Sequence, residues 1–198
     1  MSNQLILVLN CGSSSLKGAV IDRKSGKVLL SCLGERLGTP EAIITFSKDG
    51  KKCQAPLAGR NCHAGAVGML LKELEKHGLH DRIKAIGHRI AHGGEKYNES
   101  VLIDQAVMDE LKACIPLAPL HNPANINGIL AAQEHFPGLP NVGVMDTSFH
   151  QTMPEHAYTY AIPHELYEKY GLRRYGAHGN SYRHVSAETA RFLGKDKK

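Results

Sequence analysis

The spacing of apolar residues changes period several times along the chain, and each change marks an element. Leu5-Ile6-Leu7-Val8-Leu9 is an unbroken apolar run that is too short to cross a membrane, so it reads as a buried strand. Beyond a Gly-Ser turn, Leu16 to Ile21 predicts a second strand. The turn Arg23-Lys24-Ser25-Gly26 then leads into a third, Lys27 to Leu33. Ile43 to Phe46 and Lys52 to Leu57 flank Asp49-Gly50, a strong hairpin signal, and predict a peripheral hairpin. The period then becomes helical. Val67, Leu70, Leu71 and Leu74 share a face, with Gly78 placed as a C-terminal cap. Ala85 to Ile90 is a short strand running into His92-Gly93-Gly94. Asp104 caps a helix with apolar positions Val107, Met108, Leu111, Cys114 and Ile115, stopped by Pro116. Asn122-Pro123 starts another helix, whose stripe is Ile126, Ile129, Leu130 and Phe136. Val142 to Met145 is a buried strand with Asp146 just beyond its end. A strand near Tyr158 to Ile162 and helices around Glu165 to Tyr170 and Arg183 to Leu193 complete the pattern.

Three antiparallel-looking strands followed by alternating helices and strands define an α/β chain. There is no repeat, low-complexity tract or flexible linker. The 198 residues suffice for one sizeable core, or one domain and part of another. At 42% hydrophobic and 22% charged, the composition is ordinary for a soluble globular protein, and no secretion signal is expected. Its five cysteines (Cys11, Cys32, Cys53, Cys62 and Cys114) are odd in number and scattered without a CxxC, which fits a reduced cytoplasmic setting and argues against a disulfide framework or zinc site. The net charge of +5 includes Lys195, Lys197 and Lys198 at the end, with no basic stripe interleaved with aromatics. Nucleic-acid and membrane partners are therefore not expected, and a mildly basic site for small anions is.

Five polar stretches carry candidate chemistry, each beside a predicted strand or helix end. Asn10-Cys11-Gly12-Ser13-Ser14-Ser15, followed by Lys17, is either a plain hairpin turn or a turn whose N–H groups and hydroxyls face an anion. It matches neither GxxxxGK[ST] nor GxGxxG. Arg89, in His88-Arg89-Ile90-Ala91-His92-Gly93-Gly94-Glu95, suits bidentate capture of a carboxylate or phosphate, or an ion pair within the chain. The spacing of His88 and His92 fits a metal pair only on a helix, which the glycines oppose. His121 precedes a helix start, as an anion donor or a capping residue. Asp146 sits past the carboxyl end of a strand, where α/β folds place functional groups, and is otherwise a turn cap. In Arg173-Arg174-Tyr175-Gly176-Ala177-His178-Gly179, two arginines raise the local positive potential beside an accessible histidine. No activated nucleophile is apparent.

Taken in order, these stretches resemble the acetate kinase family, of the acetate and sugar kinase, heat-shock protein 70 and actin superfamily. The resemblance runs through Val8–Lys17, Gly87–Glu95, Ala118–Ala124, Asp146–Pro154 and Arg173–Gly179. It implies an actin-like (ribonuclease H-like) domain, a mixed sheet flanked by helices, over residues 1–152. Residues 153–198 would begin a second, nucleotide-binding domain. It implies reversible phosphoryl transfer from ATP to acetate with Mg2+, in a cytoplasmic homodimer when full length. The alternative reading is a propionate or butyrate kinase, or a non-catalytic phosphate- and acyl-binding half-protein.

The resemblance also assigns roles. Asn10 lies on the magnesium side; Lys17, with Gly12, Ser13 and Ser14, binds ATP phosphates. Arg89 contacts the substrate carboxylate. Asp146 is the essential acid, His178 a transition-state stabiliser and His121 a further phosphoryl contact. Ala91, Leu120 and Ala177 line the methyl site, where Ala91 replaces a larger valine and predicts better acceptance of propionate. A substrate carboxyl with a pKa of about 4–5 is already ionised at neutral pH, so Asp146 is expected to orient magnesium-bound water or Arg89 and not to move a proton. Two departures stand out. Asn180 and Tyr182 replace the family's Thr and His after His178-Gly179. Family members are also about twice as long, the further half carrying the adenosine motifs, a second arginine and a magnesium-side glutamate. The chain is thus expected to be an N-terminal portion with little or no turnover alone.

Overall fold

In the computed structural model, which describes residues 4–196, one eight-stranded mixed sheet has the order β5-β4-β3-β2-β1-β6-β8-β7. The strands are β1 (Leu5–Cys11), β2 (Leu16–Asp22), β3 (Val28–Glu35), β4 (Ile43–Lys48), β5 (Lys51–Pro56), β6 (Ile83–Ile90), β7 (Val101–Leu102) and β8 (Asn141–Met145). Strands β1 to β5 form an antiparallel meander, whereas β1, β6 and β8 run parallel. Parallel neighbours need a crossover, and the helices α1 (His63–Lys76) and α3 (Asn122–His135) supply it. The β4–β5 hairpin turns through Asp49 and Gly50, both with positive φ (49° and 76°), as Asp-Gly predicts. Charged Lys51 and Lys52 lie on that edge strand.

Alternation along the strands sends one set of side chains to the helices. Leu5, Leu7 and Leu9 of β1, Leu16 and Val20 of β2, and Ile83 and Ile86 of β6 bury there against Val67, Leu70 and Leu74 of α1 and Phe136 after α3. A second cluster joins Ile90 and Met145 to Val107, Met108 and Leu111 of α2 (Gln105–Ala113) and to Ile126 and Ile129 of α3. Asp104 caps α2 as the sequence predicts, accepting from the Val107 N–H at 2.9 Å. Beyond β8 come a 3₁₀ turn over Asp146–His150 and helices α4 (Glu155–Tyr158), α5 (Glu165–Tyr170) and α6 (Gly179–Leu193). Lys197 and Lys198, part of the terminal charge noted above, lie outside the described residues.

Several expectations are corrected. Tyr158 to Ile162 is not a strand; it holds the end of α4 and bends, with Tyr160 and Ile162 exposed. An apolar run becomes a strand only where a neighbour offers a ladder, and among the described residues none pairs with it. Leu130 is exposed, so the α3 stripe narrows to Ile126, Ile129 and Phe136. His121, not Asn122, is the N-terminal flanking residue of α3. Asn122 is fully buried, and its Nδ2 donates to the His92 and Leu111 carbonyls at 2.9 and 3.1 Å. Finally, α6 starts at Gly179, earlier than the apolar pattern showed, because its first turn is polar.

Candidate active site

Strand pairing assembles the first part of the site. Lys17 of β2 pairs with Asn10 of β1, and Asn10 pairs with Arg89 of β6. Arg89 pairs in turn with Val144 of β8. Residues paired across neighbouring strands point to the same face, so Lys17, Asn10 and Arg89 form one row on the face opposite the leucine core. Asp146 follows Val144 by two residues and lies just past the carboxyl end of the parallel strands. That end is where open α/β sheets place their ligands.

The ion pair expected as one alternative for Arg89 is present. Its Nε and Nη2 both donate to Asp146 Oδ2, at 3.1 and 2.6 Å. Asp146 is 4% exposed, and its other oxygen accepts from Asn180 Nδ2 at 2.8 Å. The same Asn180 amide donates to the Val144 carbonyl at 3.2 Å. Asn180, which departs from the resembled pattern, therefore anchors the buried carboxylate to α6. A threonine hydroxyl, with one proton, could not make both bonds.

Arg89 and Asp146 share a cleft of about 500 Å³ with Ala91, Leu120, His121, Ala177 and His178. Seven of the predicted site residues thus meet in one place. Leu120 is 74% exposed, so the cleft is open on that side. His178 has a left-handed backbone (φ 55°), a strained state for a residue with a Cβ. The next residue, Gly179, packs directly on Asp146: a Cβ at Gly179 would lie 1.9 Å from the Asp146 carbonyl oxygen. The Gly12–Ser14 turn does not line this cleft. It follows β1, with Ser13 and Ser14 exposed, and adjoins the Lys17–Asn10 side of the row.

Other residues behave differently from the sequence expectation. Arg173 adds no free positive potential. It is 7% exposed, pairs with Glu95 Oε2 at 2.7 Å, and its guanidinium lies 3.6 Å from the Tyr158 ring centroid. Tyr167 also donates to Glu95 at 3.0 Å. Burial, then the Glu95 carboxylate, pushes the Tyr175 phenol up to about 12, so it stays a donor. This knot ties the loop after β6 to the segment carrying Ala177 and His178. Its signal in the sequence was an acid and an arginine far apart, which carry no spacing rule. His88 lies on a strand and points into the core, with Nε2 2.8 Å from Asn141 Oδ1. His92 instead accepts from the Gly94 N–H at 3.1 Å. No group of three or more His, Cys, Asp or Glu side chains able to hold a metal occurs among the described residues. Burial pushes the Cys11 and Cys32 thiols up to about 12, far from an activated nucleophile.

A mixed actin-like sheet, with an arginine and a buried acid at the carboxyl ends of its parallel strands, defines an α/β unit with a cleft suited to small anions. Comparison with known proteins agrees. The Acetokinase family matches residues 5–198, and the chain belongs to that family. It is 85% identical over 195 residues to acetate kinase 2 of Neisseria meningitidis serogroup B, covering 98% of this chain and 49% of that protein. Its structure resembles a propionate kinase from Francisella tularensis (TM-score 0.93, 43% identity) and the acetate kinase of Porphyromonas gingivalis (TM-score 0.90, 43% identity). Each match covers 98% of this chain and 50% of the other. The chain thus spans about half the length of the curated relatives it matches.

Proposed function

We propose that the chain is the acyl- and phosphate-binding part of an acetate kinase, which transfers the ATP γ-phosphoryl group reversibly to acetate, giving acetyl phosphate and ADP. The observation that carries this is the geometry of Arg89. One edge of its guanidinium is committed to Asp146, while Nη1 has no partner among the described residues and the side chain lines the cleft. A planar fork with a free edge is suited to a substrate carboxylate. That carboxylate is ionised at neutral pH and needs no base, so Asp146 acts by fixing Arg89 and not by moving a proton. His121 and His178, on the cleft wall, donate to the transferring phosphoryl oxygens. Lys17 and the Gly12–Ser14 turn hold the nucleotide phosphates.

The donor set suits magnesium in part. Mg2+ usually takes one or two carboxylates, water and substrate phosphates. Both Asp146 oxygens already accept hydrogen bonds, so Asp146 would reach the cation through water, and Asn10 would offer its amide oxygen. Bound with the nucleotide, the cation would neutralise charge on the phosphates.

Residues 1–152 form the acyl and phosphate domain in this reading, and 153–198 begin the nucleotide domain. The full-length enzyme is cytoplasmic and homodimeric; five free cysteines agree with a reducing compartment. No helix among the described residues is long and apolar enough to cross a membrane.

The test is a chimera of this chain with the remaining half of the meningococcal relative, assayed by hydroxamate formation from ATP and acetate. Turnover is expected, with a loss of about 100-fold or more in Arg89→Ala. A folded chimera without turnover, or one indifferent to Arg89→Ala, overturns the proposal. The 198-residue chain alone is expected to form no more than a trace of hydroxamate.

A further inference from the structure

The turn after β1 is held from behind by two buried side chains that the reaction itself does not use. His63, the first residue of α1, is 8% exposed, and its Nε2 lies 2.8 Å from the Gly12 carbonyl oxygen. A carbonyl only accepts, so this nitrogen carries the proton and donates. Asn125 of α3 is 4% exposed, and its Nδ2 donates to the Cys11 carbonyl at 2.7 Å. Its Oδ1 accepts from the Ala91 N–H at 2.9 Å. One buried amide thus joins the ends of β1 and β6. The close approach of α3 depends on Gly128, where a Cβ would lie 2.3 Å from Cys11 Sγ.

Two of the three remaining turn carbonyls are also occupied. Ser14 accepts from the Leu37 N–H at 2.9 Å and Ser15 from the Gly12 N–H at 2.8 Å. Four of the five carbonyls from Cys11 to Ser15 are therefore tied to protein donors. By contrast, no backbone carbonyl among the described residues accepts from the N–H of Ser13, Ser14 or Ser15. Carbonyl dipoles repel an anion and N–H groups attract it, so the sorting of the two decides what a turn binds.

We propose that His63 and Asn125 are positioning residues that set the polarity of the Gly12–Ser15 turn, drawing the Cys11 and Gly12 carbonyls back so that the turn offers donors to a phosphate. The proposal rests on the phosphate-binding reading of this turn. Neither residue touches the phosphate; each acts through a carbonyl it restrains.

The experiment titrates inorganic phosphate into the 198-residue chain and follows the amide resonances of Ser13, Ser14 and Ser15. Acetate is titrated separately and read at Ala177. In His63→Leu and Asn125→Ala, the phosphate dissociation constant is expected to rise about tenfold, the effect of losing one hydrogen bond that matters. His63→Gln keeps an N–H donor and is expected to recover most of the affinity. Acetate binding in His63→Leu should stay at the wild-type value, which separates a local effect from general loosening. If His63→Leu does not fold, Asn125→Ala decides. Wild-type phosphate affinity in a folded His63→Leu or Asn125→Ala, or a His63→Gln as weak as His63→Leu, sinks the positioning role alone. If phosphate leaves the serine amides of the wild-type chain unmoved, the phosphate reading of the turn falls with it.

Discussion

Arg89 commits its Nε–Nη2 edge to Asp146, and the two side chains differ in exposure: that of the arginine is 27% exposed and that of the aspartate 6%. Removing either is therefore unequal in effect. Arg89→Ala strands a buried carboxylate that retains only Asn180, and a destabilisation of about 3 kcal/mol is expected by chemical denaturation. Asp146→Asn keeps shape and leaves an arginine that water can reach, so the loss should be clearly smaller. Carboxylate binding should weaken in both. Asn180→Ala frees one Asp146 oxygen without touching the cleft wall; if Asp146 acts by fixing Arg89, this variant weakens acetate binding while leaving the pH dependence of binding unchanged. Ala91 makes a further prediction. In Ala91→Val the preference for acetate over propionate should rise by about 1 kcal/mol or more, read as the ratio of kcat/KM values in the chimera. Equal ratios in the two proteins exclude Ala91 as a determinant of acyl size.

Among the elements, those with a short-range physical signal were legible in the sequence. The Asp49-Gly50 hairpin, the Asp104 cap and the leucine spacing of α1 each lie where local chemistry places them. Asp104→Ala should cost about 1 kcal/mol, seen as a lower denaturation midpoint. Elements that depend on a neighbour were not legible. The two-residue β7 exists only because β8 offers it an edge, and the Tyr158 to Ile162 run lacks such an edge. The site divides in the same way. Arg89, Asp146 and His178 stand beside element ends that the sequence reveals. His63, Asn125 and Glu95 work through contacts 51, 114 and 78 residues away, which no local pattern encodes. Strand β6 and the loop after it also carry a pH dependence. Burial lowers the His88 pKa below its ordinary 6.5, and burial lowers that of His92 in the same direction. Above 6.5 the ring is neutral folded and unfolded alike. Below it the unfolded chain binds the proton first, so stability is lost as pH falls. The melting temperature should hold steady above pH 7 and decline toward about pH 5.5, with a shallower decline in His88→Gln.

For the whole molecule, the sheet and its helices form a core that the segment after β8 covers only in part. Helix α6 presents Tyr182, Val185 and Phe192 to solvent at 58%, 55% and 88% exposure, while its first turn is pinned to Asp146 by Asn180. A chain spanning about half the length of its relatives, with an apolar helix face exposed, agrees with the trace turnover expected of it alone. The row Lys17–Asn10–Arg89 has a genetic consequence. Strand faces alternate with period two, so loss of one codon anywhere between Leu5 and Asn10 must exchange the faces on one side of the lesion. Either the core leucines turn outward or Asn10 leaves its partners and turns inward. Loss of two codons restores the alternation. Natural length variation in this strand should therefore come in even steps, a grammar written into the DNA by the pleat of the sheet.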